Sequence, residues 1–201
     1  MATALEFYFD FSSPYAYVAS EEIEALAERH GRELQWRPTL LGAVFKVAGN
    51  APLTELYAPK ARYALRDFAR SAAFAAVPYK HPTPFPVATV AAARAVIWLQ
   101  QQGSPQLAPF IHAVFRAYFV SGRNIGDAAV VMEVAQALGL DVDTLAAGVQ
   151  SDAVKDALRA EVERSIARGV FGAPTIFIDG EMFWGQDRLA QVERWISTGP
   201  F

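Results

Sequence analysis

The chain has 201 residues, 53% of them hydrophobic and 19% charged, which is ample apolar material for a core and rules out disorder as its dominant state. Lys and Arg number 18 against 21 Asp and Glu, a net charge of -3, so the basic footprint of a nucleic-acid-binding protein is absent. There is no cysteine, which removes disulfides, thiolate metal sites, cysteine nucleophiles and any dithiol redox chemistry carried by the protein itself.

The first residues, Met1 to Glu6, lack a basic n-region and run straight into a strand-like segment, so no signal peptide is expected. The longest charge-free run, residues 95–115, is interrupted by Gln100 to Gln102, Gly103, Pro105 and Pro109 and does not read as a membrane span. A soluble, cytoplasmic protein is the expectation.

Residues 5–11 alternate, with Leu5, Phe7, Phe9 and Phe11 on one side, and predict a strand. Ser12-Ser13-Pro14 then gives a helix start, serine at the cap and proline at the first helical position. The helix is expected to run to His30 and stop at Gly31, with Ala16, Ala19, Ile23, Leu26 and Ala27 as its apolar stripe. Residues 33–37 alternate again and predict a second strand, closed by Pro38. Strand, helix and strand at this spacing make a β-α-β unit with parallel strands.

From Thr39 to Gln150 the strand signal fades and Ala-rich helical spacing takes over, notably over residues 89–102 and over 128–138, the latter capped by Asp127. This block reads as an all-helical insertion of roughly 110 residues. Residues 151–168 are amphipathic, repeating Val154, Leu158, Val162 and Ile166. A strand through Ile178 follows, then Asp179-Gly180 as a two-residue hairpin turn, a return strand over 181–184 and a last helix over 188–196. The order β-α-β, helical block, α-β-β-α predicts an α/β fold: a thioredoxin-like domain of residues 1–38 and 151–201, interrupted by a helical domain of residues 39–150.

Four motifs in this order resemble one family: residues 9–17 (Phe9-Asp10-Phe11-Ser12-Ser13-Pro14-Tyr15-Ala16-Tyr17), Gly49-Asn50, residues 171–175 (Phe171-Gly172-Ala173-Pro174-Thr175) and residues 183–189 (Phe183-Trp184-Gly185-Gln186-Asp187-Arg188-Leu189). Together they are similar to the 2-hydroxychromene-2-carboxylate isomerases, relatives of the kappa-class glutathione transferases in the DsbA-like branch of the thioredoxin fold. DsbA carries Cys-Pro-x-Cys where this chain has Ser13-Pro14-Tyr15-Ala16, so its redox activity is not carried over.

The resemblance implies glutathione as cofactor and Ser13 as the catalytic hydroxyl. Nothing in the sequence supplies a base for a serine nucleophile, and Ser13 is better read as a hydrogen-bond donor to the glutathione thiolate. Lowering a thiol pKa of about 8.5 by about 2 units takes roughly 2.7 kcal/mol. A helix N-terminus offers up to about 2 kcal/mol, and a hydrogen bond to a charged acceptor roughly 1.5–3 kcal/mol. On spacing alone Ser13 is a helix cap, a role its hydroxyl can hold at the same time. Ala173-Pro174 reads locally as a strand entry; the resemblance implies a cis bond whose Ala173 edge pairs with the tripeptide. Asp187 reads locally as a cap of the last helix, whereas the resemblance gives it the γ-glutamyl ammonium, with Gln186 and Arg188 beside it. Asn50, locally a turn residue, and Lys60, behind a somewhat different loop of residues 53–59, become polar partners of substrate or glutathione. Tyr15 and Phe45 are expected as walls of the substrate cleft.

No metal site is expected: His30, His81 and His112 are far apart, and Asp141-Val142-Asp143 lacks the rest of a calcium loop. The reaction implied, with a small aromatic 2-oxo-acid as partner, is the cis–trans interconversion of 2-hydroxychromene-2-carboxylate and trans-o-hydroxybenzylidenepyruvate in naphthalene-type degradation, by reversible thiolate addition. A homodimer is implied by the resemblance alone. The alternatives are a kappa-type transferase or peroxidase, and a thioredoxin-fold binding protein without catalysis.

Overall fold

A computed structural model of the chain describes residues 3–53 and 57–201. Strand β1 (Leu5–Phe9) lies between β2 (Leu34–Pro38), to which it is parallel, and β3 (Thr175–Ile178), to which it is antiparallel; β4 (Glu181–Trp184) closes the other edge beside β3. Helix α1 (Pro14–Arg29) makes the crossover from β1 to β2, as the β-α-β reading predicts. The β3–β4 turn has Asp179 at φ 53 and Gly180 at φ 89, the positive pair that a tight hairpin demands.

Helices α2 (Leu41–Ala48), α3 (Ala58–Phe74), α4 (Val90–Gln101), α5 (Leu107–Phe119), α6 (Ala128–Ala137) and α7 (Val142–Gln150) follow β2, and α8 (Asp152–Ala167) leads back to β3. After β4 comes a 3-10 turn (Gln186–Arg188) and helix α9 (Leu189–Thr198). The predicted last helix thus begins one residue later, behind a turn of its own. No described helix is long and apolar enough to cross a membrane.

The aromatic face of β1 holds these layers together. Phe7 meets Trp36 of β2 edge-on at 5.4 Å, Phe9 meets Phe11 at 5.2 Å, and Phe11 packs on Phe115 of α5 at 4.9 Å. Such pairs add about 0.5–1.5 kcal/mol each beyond their burial. Alternation predicts a polar opposite face, yet Tyr8 is buried too. It packs with Val170 and Phe177, and the Arg168 guanidinium lies 3.9 Å from the Phe177 ring centroid while bonding to Glu6. The central strand is therefore covered on both sides.

Helices α1 and α5 are clamped by charge. Arg116 and His112 of α5 bond to Glu21 and Glu24 of α1, respectively, and His112 Nδ1 lies 3.7 Å from Glu21. Burial acts to depress the His112 pKa, but the two carboxylates outweigh it and hold the imidazole above its ordinary value. Burial likewise acts to raise Glu21, and its bonds to His112 and Arg116 overcome this and pull it down to about 2. The raised histidine gives stability that is complete below 6.5 and is lost as pH climbs through the raised value. The depressed glutamate gives stability that is complete above 4.5 and is lost as pH falls towards about 2. We expect His112→Gln to be less stable than the parent at mildly acidic pH, by about 1 kcal/mol since Glu24 is half-exposed. Urea unfolding across pH should show that gap closing in alkaline buffer; a gap independent of pH would refute the clamp.

Candidate active site

The parallel register Phe9↔Pro38 and the antiparallel register Tyr8↔Thr175 bring the turn after β1 beside the residues before β3. Ser13 stands in that turn, 5% exposed, at φ -92 and ψ 113, as the cap of α1. Its Oγ accepts from the Ala16 N–H at 3.1 Å and donates to the Ala173 carbonyl at 2.8 Å. A carbonyl can only accept and an amide N–H can only donate, so the hydroxyl proton is committed to Ala173. The Ala173–Pro174 bond is cis. Among the described residues, the backbone N–H groups of Tyr15 and Ala173 have no hydrogen-bond acceptor. The Ser13 hydroxyl thus stands against the cis-proline turn where α1 begins, with an unpaired N–H on Ala173, the residue it bonds, and another on Tyr15, two residues on.

Further structure frames this point. Gly185 donates to the Pro174 carbonyl at 3.0 Å, which ties the end of β4 to the cis-proline turn. Thr175 Oγ1 donates to the Gly172 carbonyl at 2.8 Å. Trp184, 53% exposed, packs on the Phe171 ring at 4.9 Å and lies over Gly172. A Cβ on Gly172 would stand 2.5 Å from the indole nitrogen, so only glycine fits beneath that ring.

The structure gathers some predicted residues and leaves others apart. Asn50 reaches the site: its side-chain amide lies 3.5 Å from the Phe171 carbonyl, and its own N–H donates to Phe45 O at the end of α2. Gln186, Asp187 and Arg188 form the 3-10 turn that packs against α1. Asp187 does not cap α9, the local alternative; it is exposed and pairs with Arg188 at 3.1 Å, a surface pair that competes weakly with a ligand. Its charge acts on Tyr15, at the start of α1. Tyr15 itself donates to Asp67 of α3 at 2.6 Å and meets Phe68 at 5.0 Å; burial first, and that bond second, push its phenol pKa up. The half-buried Phe45 and exposed Lys60, in the first turn of α3, make no described contact with Ser13. The loop before Lys60 falls partly outside the described residues.

Sequence reasoning missed Asp10, Asp67 and Trp184. Asp10 and Trp184 lay inside recognised motifs without a role; Asp67 sits in a helix whose spacing carries no sign of its partner. An apolar hollow of about 180 Å³, lined in part by Val44, Val47, Ile166, Val170 and Phe171, includes neither Asn50 nor Ser13. A larger groove of about 370 Å³ runs along β2, lined in part by Trp36, Arg37 and Gln100, and includes none of the gathered residues.

Comparison with known proteins agrees with this frame. The model of the DSBA-like thioredoxin domain matches residues 4–197. The chain belongs to the DsbA-like thioredoxin family. It is 32% identical to 2-hydroxychromene-2-carboxylate isomerase of Sphingobium xenophagum, over 98% of this chain and 99% of that protein, and so belongs with that family too. A solved 2-hydroxychromene-2-carboxylate isomerase superposes with a TM-score of 0.83 at 27% identity, covering 95% of this chain and 93% of the other. Glutathione S-transferase kappa 2 of Caenorhabditis elegans is 26% identical over 98% of this chain and 92% of its own length. The thioredoxin-like expectation is borne out, as are both family relationships.

Gly172→Ala should cost about 1–3 kcal/mol in urea unfolding, because the indole of Trp184 must move to admit the methyl group. In a Trp184→Ala background most of that loss should disappear. An equal loss in both backgrounds would show that the indole is not the reason for glycine.

Proposed function

We propose that the chain is a glutathione-dependent cis–trans isomerase that interconverts 2-hydroxychromene-2-carboxylate and trans-o-hydroxybenzylidenepyruvate. The observation that carries this reading is the Ser13 hydroxyl at the N-terminus of α1, bonded to the Ala173 carbonyl beside the cis-proline, with the Ala173 N–H unpaired. Homologues named for this reaction, and kappa transferases named for glutathione, support it.

The residues fit the tripeptide. The Ala173 N–H is open to a peptide carbonyl, in the manner of an added strand. Its carbonyl is held by Ser13, and an incoming peptide N–H can take that place, freeing the hydroxyl to turn towards sulfur. One hydrogen bond is given up in this exchange and two are made, one of them to a charged acceptor. The α1 N-terminus, with the unpaired Tyr15 N–H in its first turn, adds its dipole. Exposed Asp187 holds the ammonium in this reading, in place of or beside its weak surface pair with Arg188, with Gln186 next to it. When bound, glutathione supplies a thiolate whose reversible addition gives the substrate's conjugated alkene single-bond character, so that rotation becomes easy. Asn50, whose amide lies 3.5 Å from the Phe171 carbonyl, serves as a partner of the substrate's carboxylate in this reading. Lys60 serves as a further anion partner and Tyr15 and Phe45 as cleft walls in this reading.

Ultraviolet difference titration with glutathione across pH should reveal a bound thiolate at a pH well below the free thiol's pKa of about 8.5. Ser13→Ala should raise that bound pKa by about 1–2 units, as expected for a lost hydrogen bond to charge, and cut isomerisation about tenfold or more. Asp187→Ala should instead weaken glutathione binding with the bound thiol's pKa little changed. A parent protein that does not bind glutathione would overturn the proposal. Binding with conjugation of simple electrophiles but no isomerisation would move the chain to the transferases.

A further inference from the structure

Asp10 touches no part of the chemistry above, yet it is 4% exposed and its carboxylate gathers four donors from three segments. Oδ1 accepts from the Ser12 N–H at 2.8 Å, the Ser12 hydroxyl at 2.9 Å and the Thr89 hydroxyl at 2.8 Å. Oδ2 accepts from the N–H of Leu41, the first residue of α2, at 2.7 Å. The backbone carbonyl of Asp10 also accepts from the Ser13 N–H at 2.9 Å. Main chain and side chain of one residue therefore grip both serines of the turn, and the side chain fastens that turn to the starts of α2 and α4.

Oδ2 depends on the Leu41 N–H alone and Oδ1 shares three donors, so both buried oxygens are satisfied and the carboxylate ties the three segments together. Among the described residues, Ser12 and Ser13 make no hydrogen bond of their own to the helical block. We propose that Asp10 is a positioning residue: with Thr89 and Leu41 it makes the helical block the anchor of the Ser13 turn, and so sets where the Ser13 hydroxyl stands against Ala173. The inference rests on the reading of Ser13 as donor to a bound thiolate.

The role can be told from a plain electrostatic one by its sign. A negative carboxylate near the site opposes a second anion, so removing its charge alone lowers the pKa of a bound thiol. Loosening the turn moves the hydroxyl away from sulfur and raises that pKa. A carboxylate that only supports the fold changes stability and leaves the bound thiol where it was.

The experiment is the glutathione thiolate titration on the full chain, with Asp10→Asn and Thr89→Val. The first replaces one acceptor oxygen by a donor group in the same shape. The second removes one donor, keeps the Asp10 charge, and stands in if the first does not fold. We expect Asp10→Asn to raise the bound pKa by about 1 unit, tenfold less thiolate at low occupancy, and Thr89→Val to raise it by less. In a Ser13→Ala background, where no hydroxyl is left to position, the Thr89→Val rise should vanish and Asp10→Asn should show only the lowering from its lost charge. Where the two variants disagree, Thr89→Val decides, since it leaves the charge in place. No rise with Thr89→Val, or a rise that persists without Ser13, would overturn the proposal. A parent protein that binds glutathione without lowering its thiol pKa would instead remove the reading of Ser13, and this inference with it, before any Asp10 variant is measured.

Discussion

The hydrogen bond from Ser13 to the Ala173 carbonyl joins residues 160 apart in sequence, and the rest of the site is arranged around it. It exists because β1 pairs with β3 in the register Tyr8↔Thr175, which sets the turn after one strand beside the turn before the other. A slip of one residue would turn Phe7 and Phe9 out of the core and expose them, so the aromatic face that stabilises the sheet also fixes the position of the serine. Stability and chemistry share one constraint here. The burial of Tyr8 under Arg168 strengthens it, because both faces of β1 then penalise a slip.

The absence of cysteine leaves this arrangement intact. The donors at the site are a hydroxyl, main-chain N–H groups and the end of a helix, and none of them needs sulfur in the protein. What a dithiol fold uses to stabilise its own thiolate is, in the proposed function, turned towards a thiolate carried by a peptide. The edge at Ala173 suits this change, since an open N–H beside a carbonyl is what an extended peptide pairs with.

Much of this was legible in the chain because the signals are local. The alternation of residues 5–11, the serine and proline before α1, and the Asp179-Gly180 turn each state their conformation within a few residues. Ser13, Ala173 and Asp187 could be singled out because they lie in motifs with a fixed order. What stayed hidden depends on pairs whose partners look ordinary on their own. Nothing about Thr89 announces that it bonds to Asp10, nothing about Asp67 announces Tyr15, and the glycine at 172 is explained by a tryptophan twelve residues on. Asp10 reads as a polar break at the end of a strand; only folding shows that it is buried and fully bonded. Lys60 shows the converse, a residue singled out by resemblance that makes no described contact with the serine.

The donors chosen also bear on which reaction suits the site. Among the described residues no cation bonds to Ser13 or to Ala173, and Arg188 is paired with Asp187. A thiolate held there is stabilised by dipoles fixed in advance, which need no reorganisation when charge arrives. That matters for a reaction in which the sulfur must both attack and leave. A thiol whose pKa is pushed very low leaves well but attacks poorly, and nucleophilic attack is best when the pKa lies near the ambient pH. A buried arginine beside the sulfur would drive the pKa far down and favour one half of the cycle over the other. In the proposed function a hydroxyl, the Tyr15 amide and a helix end supply a moderate shift, and a moderate shift is what reversible addition requires. The same balance is less useful to a transferase, whose product keeps the new carbon–sulfur bond. The chemistry of the donor set therefore favours the isomerase reading within a frame that both families share.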